Sequence, residues 1–228
     1  MSEPDSDSGT RLLPQGADWL PVMLIALCVM AEAALLLGDT GLLAAMRLRT
    51  TIYEYGGFWP GLLRGWEPNY AWQPWTMFVT YGFLHGGVVH MVVNMITLWS
   101  LGRGVIDRVG GRGFLAIYLA SLLGGAGFYG LLSSSLQPMV GASGALFGLA
   151  GGLLAWAYID RFSQRVGLWP VARMVGVLVV LNVVMWWALN GQLAWETHLG
   201  GFVAGWIMAS LIDPRPVALD TNDGDTEE

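Results

Sequence analysis

Charge is what this chain has least of. Only 12% of its 228 residues are Asp, Glu, Lys or Arg, against 54% hydrophobic residues and a mean hydropathy of +0.53. Soluble domains carry about twice that share of charge, so the solvent implied here is a lipid bilayer. Lysine is absent: all eleven basic residues are Arg. The net charge of -6 comes mostly from two acidic tails, 1–18 and 214–228, rich in Ser, Asp, Gly or Pro. Solvated ends of this kind and the shortage of basic residues exclude a nucleic-acid partner. The single cysteine, Cys28, has no partner for a disulfide, and a thiol in an apolar run is hard to ionise, so it reads as core packing. No His-Glu-x-x-His occurs, and the intervals among the three histidines fit no common zinc pattern, so neither a metal nor another cofactor is expected. Nor is there an internal repeat, which leaves one membrane domain, 19–213, between the tails.

What the chain does have is long apolar runs separated by clusters of Gly, Pro, Arg and Asn. They predict an all-α polytopic membrane protein of six spans, roughly Trp19 to Leu37, Gly87 to Leu101, Phe114 to Leu132, Gly144 to Ile159, Val171 to Leu189 and Leu199 to Ile212. The first lacks a basic leader and reads as an anchor that stays in place. Arg103, Arg108 and Arg112 follow span two, and Arg161, Arg165 and Arg173 surround the loop after span four, which puts both loops and both tails in the cytoplasm. Arg47, Arg49 and Arg64 in the long first loop dissent from that pattern. The same loop holds Trp59, Trp66, Trp72, Trp75, Tyr53, Tyr55 and Tyr70, the mark of an amphipathic segment lying among lipid headgroups.

Polar residues inside apolar spans are costly, and those present mark where function is to be sought. Ser143 lies in Gly141-Ala142-Ser143-Gly144 at the entry to span four, and His198 opens span six. His85, His90 and Asn94 lie at the entry to and within span two. At about 1.5 Å per helical residue, Ser143, His198 and His90 each sit about 20–25 Å from the opposite ends of their spans, at nearly one level. That level is a few ångströms below the outer surface of a core about 30 Å thick. Asn94 is one turn below His90 on the same face. Gly144, Gly148 and Gly152 in span four, and Gly201, Gly205 and Ala209 in span six, recur every four residues and let two backbones approach. A serine hydroxyl needs a base to become a nucleophile, and His198 is the candidate at the right depth.

These residues resemble the rhomboid family of intramembrane serine proteases over about residues 75 to 213. Gly-x-Ser-Gly at Gly141 to Gly144, the histidine and spaced glycines at His198, Gly201 and Gly205, and the His85, His90, Asn94 spacing carry the resemblance. It implies a six-helix rhomboid-like bundle in which Ser143 is the nucleophile and His198 the general base, without an acidic third member. It further implies an oxyanion hole of His90, Asn94 and the backbone N–H of Ser143. Phe147 matches an aromatic position that in relatives packs on the catalytic histidine. The substrates implied are single-span membrane proteins, in a prokaryotic inner membrane, with membrane lipids as the other partners. The Trp-Arg pair common in the family's first loop is missing, although Arg64 and Trp66 lie close together.

Each motif alone has a plainer reading. Gly-x-Ser-Gly is weak in a chain with 32 glycines, where Ser143 could serve as small packing, and a buried histidine or Asn can be interhelical glue. A rhomboid-like protein that binds or escorts membrane clients without chemistry is the alternative function. His85, about 140° from His90 on a helical wheel, reads as a cap on span two. Glu32 either faces the bundle or snorkels to the headgroups. Asn190 to Glu196 breaks the helix before His198 and reads as part of a mobile cover through which an unwound substrate enters.

Overall fold

A computed structural model of the protein describes residues 18–40 and 47–213; the acidic tails therefore lie outside the described residues, apart from Asp18. Helix α1 spans Trp19–Asp39. Its buried residues Leu20, Leu24, Cys28, Glu32 and Leu35 recur every three or four positions, the spacing of a single helical face, and that face packs on α4. The first loop forms two short helices, α2 (Leu48–Gly56) and α3 (Gln73–Thr80), rather than one continuous amphipathic segment. Trp72 and Trp75, each 71% exposed, keep the outward aromatic face that the sequence predicts.

Helix α4 runs from Val88 to Leu132, where two spans and a loop were expected. Gly110 divides this stretch into two helical parts, 88–109 and 111–132, each about 33 Å long, and they turn back on each other: a Cβ at Gly102 would stand 3.2 Å from Phe114 Cε2. The interruption is confined to Gly110, whose φ of 71° and ψ of 179° suit a residue without a Cβ. The stretch of 102–109 expected as loop stays helical because Val105 and Ile106 are buried against the bundle. Helices α5 (Ser143–Ser163), α6 (Trp169–Ala188) and α7 (Trp195–Ile212) follow within the described residues. Trp195 and Glu196 are thus helical, and the irregular stretch before His198 is shorter than predicted. Among the described residues, α1, α4, α5 and α6 are long and apolar enough to cross a membrane. The last helix, α7, whose first turn carries Glu196, Thr197 and His198, is not among them. The protein is therefore an all-helical membrane protein.

Glycine determines how α5 and α7 meet. A Cβ at Gly201 would run into the Gly144 carbonyl, and one at Gly205 into the Gly148 carbonyl. A Cβ at Gly152 would stand 3.2 Å from that of Ala209. The two helices touch backbone to backbone along the faces the sequence marks, and contact of this closeness replaces the hydrophobic drive that lipid removes. Gly201→Ala is expected to lower stability by about 1–3 kcal/mol through overpacking. Gly176→Ala, with nothing within 4 Å, should leave it unchanged. Unfolding midpoints in detergent compare the two, and an equal response would mean that the α5–α7 contact adjusts freely.

Ion pairs tie the bundle at both ends. Arg108 of α4 bonds both oxygens of Asp160 on α5 at 2.8 and 3.2 Å, reaches Asp213 after α7 at 3.3 Å, and lies 4.9 Å above the Trp156 ring. At the other end, Glu32 is 2% exposed and faces the bundle, where Arg49 of α2 binds it through two bonds of 2.8 and 3.2 Å. Arg49 also bonds Asp39 at 2.7 Å. A buried carboxylate without this partner would be strongly destabilising. Arg64 donates to the carbonyls of Ser133 at 2.7 Å and Gly130 at 2.8 Å, covering the open carbonyls at the end of α4. The first loop is thereby anchored by Arg64 without a Trp-Arg pair, while Trp66 packs on Trp59. Two of the three arginines that dissent from the charge pattern are accounted for by these internal contacts.

Candidate active site

Ser143 is the first residue of α5, and its position depends on the loop before it. Phe58 and Met139 exchange two backbone hydrogen bonds of 2.9 Å, joining the first loop to that segment. The Gly141 N–H then donates to the Tyr81 carbonyl at 3.0 Å. Gly141 has φ 128°, outside the range of ordinary residues, and a Cβ there would stand 2.8 Å from His90 Cε1. A Cβ on Gly144 would run into Thr197, next to His198. Glycine at 141 and 144 thus lets the chain turn into α5 while α4 and α7 press against it.

His198 is 4% exposed, in the first turn of α7. Its Nε2 lies 2.7 Å from Ser143 Oγ, and its Nδ1 lies 2.8 Å from the side-chain oxygen of Asn182 on α6. The Phe147 ring stacks on the imidazole with centroids 4.2 Å apart and planes 5° from parallel. Ser143, only partly buried, remains open on one side. As the first residue of a helix it also has a backbone N–H with no carbonyl one turn earlier to receive it. The arrangement can transfer the hydroxyl proton to an imidazole and bind a developing anion beside it.

His90 and Asn94 lie in the first turns of α4. The Gly86 N–H donates to His90 Nδ1 at 3.2 Å, so in a neutral ring the proton is on Nε2, at the edge that faces the Gly141 backbone. Asn94 donates from Nδ2 to the His90 carbonyl at 2.8 Å, leaving one amide proton for another acceptor; its Oδ1 is buried without a partner among the described residues. His85 does not cap the helix. The N-cap is Gly87, and His85 is buried in the preceding loop, its carbonyl bound by Arg49 at 3.2 Å and by the Tyr53 hydroxyl. Its ring meets His90 edge to face at 5.3 Å. Glu32, through Arg49, thus holds the loop that leads into His90.

Of the expected residues, His198 contacts both Ser143 and Phe147, and His90 borders the Gly141 backbone. Asn182 was missed. It is a strongly polar residue in the apolar run of α6, and the rule that marks Ser143 and His198 would have marked it too. Among the described residues no group of three His, Cys, Asp or Glu side chains could hold a metal ion.

The chain is 32% identical over 141 residues to the rhomboid protease GluP of Bacillus subtilis (strain 168), covering 60% of this chain and 26% of that protein. It is 33% identical over 146 residues to RHOMBOID-like protein 4 of Arabidopsis thaliana, covering 63% and 35%. With the putative rhomboid protease YdcA of Bacillus subtilis (strain 168) the identity is 26% over 155 residues, covering 67% and 75%. The chain spans under half the length of the curated relatives it matches first. Residues 71–215 match the family model described as the Rhomboid domain, and on that match, over more than half of its length, the chain belongs to the rhomboid family.

Proposed function

We propose that the protein is an intramembrane serine endopeptidase that cleaves the membrane segments of single-span proteins with a Ser143–His198 dyad. The observation that carries this reading is the 2.7 Å contact between Ser143 Oγ and His198 Nε2 at the start of a helix. His198 takes the hydroxyl proton as Oγ attacks the substrate carbonyl. The anion that forms is bound by the Ser143 N–H, His90 Nε2–H and the remaining Asn94 N–H. The imidazolium then protonates the leaving amine, and a water deprotonated by His198 releases the acyl group. Because a membrane helix offers no free carbonyl, the substrate segment unwinds first, which favours Gly, Pro and small residues near the cut. The stretch before α7 and the end of α6 form the mobile cover.

The topology goes with this reading. With α4 counted as two crossings that meet at Gly110 and α7 as another, the bundle has six spans. Both tails are then cytoplasmic in a prokaryotic inner membrane, with the Ser143 end of the bundle toward the outer face. A fluorophosphonate probe incubated with purified protein in lipid tests the chemistry. Labelling of Ser143 that is lost in His198→Ala is expected. A fully folded protein that does not react would instead be a client-binding relative.

A further inference from the structure

A dyad uses one nitrogen of its imidazole, and in this protein the other nitrogen is also held. Building on the protease reading above, we propose that Asn182 is a positioning residue: its side-chain oxygen holds His198 in the Nδ1–H tautomer, so that the Nε2 lone pair faces Ser143 Oγ.

A neutral imidazole carries one N–H, and only the bare nitrogen can accept the serine proton. An amide oxygen accepts and does not donate, so the 2.8 Å contact to Asn182 Oδ1 requires the proton on Nδ1. The 2.7 Å contact on the other side then has Ser143 as donor. Phe147 stacked on the ring fixes its plane, but a flat contact does not distinguish one tautomer from the other. The bond to Asn182 does.

The surroundings strengthen that bond. Asn182 and His198 open on a cavity of about 450 Å³ whose other walls are apolar side chains such as Val179, Val183 and Phe202, with the two indoles of Trp186 and Trp195. Hydrogen bonds in such low-dielectric surroundings are stronger than in water, and few other groups compete for them. A neutral amide orients the ring without placing a full charge on a helix of which only Val171 is buried. Because α6 is otherwise so lightly packed, and its backbone neighbours α5 rather than α7, the hold on His198 depends on this one side-chain bond reaching across to α7.

Asn182→Leu keeps the approximate shape and removes the acceptor; Asn182→Asp keeps an acceptor. In lipid, the Leu variant is expected to lower kcat about 100-fold with KM within twofold, and the Asp variant to recover at least tenfold over Leu. Asn182→Ala replaces the Leu variant if that protein does not fold. Nitrogen NMR of histidine-labelled Ser143→Ala protein, with signals assigned from His85 and His90 variants, is expected to show a protonated Nδ1 on His198. That proton should be lost or exchanged between nitrogens once Asn182→Leu is added. Wild-type kcat in the Leu variant, or equal losses in the Leu and Asp variants with an unchanged His198 tautomer, overturns the proposal. If the unmodified protein neither cleaves nor labels, the protease reading fails, and the tautomer measurement still decides the role of Asn182.

Discussion

Ser143→Ala and His198→Ala are each expected to lower the rate of substrate cleavage by about 10⁵- to 10⁶-fold, to the floor of most assays. The hydroxyl and the imidazole act as one unit, since without the base the hydroxyl is a poor nucleophile and without the hydroxyl the base has no acyl acceptor. The double variant should therefore be no slower than either single one. Folding should survive, because Ser143 is only partly buried and its replacement removes one oxygen. Rates of peptide release from a single-span substrate in liposomes, for the two single variants and the double, measure this. Cleavage by Ser143→Ala at close to the unmodified rate would mean that the nucleophile is elsewhere.

His90→Ala and Asn94→Ala are each expected to slow turnover by about 100- to 1000-fold while substrate binding is largely kept, as loss of an oxyanion donor does. The basis is the proton inventory. His90 accepts from Gly86 on Nδ1, and Asn94 spends one amide proton on the His90 carbonyl, so each has one N–H left. These donors bear on charge that develops in the transition state, so the loss should fall on kcat rather than on KM. Steady-state kinetics on both variants separates the two. A higher KM with unchanged kcat would assign His90 and Asn94 to ground-state binding.

Legibility in the sequence differed from residue to residue for physical reasons. Ser143, His198, His90 and Asn94 stood out because a polar group in an apolar run needs a compensating role, and their common depth follows from helical rise alone. The α5–α7 contact was visible because glycine every fourth residue makes a smooth face on an isolated helix. Asn182 obeyed the same polarity rule but offered no motif, and its bond to His198 joins separate helices. Glu32 was noticed without an assignment, since a carboxylate at that place can face inward or snorkel. Only the position of Arg49, seventeen residues later on another helix, decides between them. The loop expected over 102–113 shrank to a single residue because Arg and Gly end a span as readily by a kink as by a loop, and the burial of Val105 and Ile106 favours the helix.

Composition and periodicity alone made it legible that this protein lives in a bilayer, which faces of its helices are smooth, and which polar residues stand at one level along their helices. These are properties of composition and of one-dimensional periodicity, and they hold before any two helices touch. Tertiary structure decided that Ser143 and His198, fifty-five residues apart in the chain, stand 2.7 Å from each other, and that Asn182 completes the line. It also decided that Glu32 and Arg49 hold the loop leading to His90. Such contacts depend on how helices cross and how far they rotate, and those quantities come from the summed packing of all the faces together.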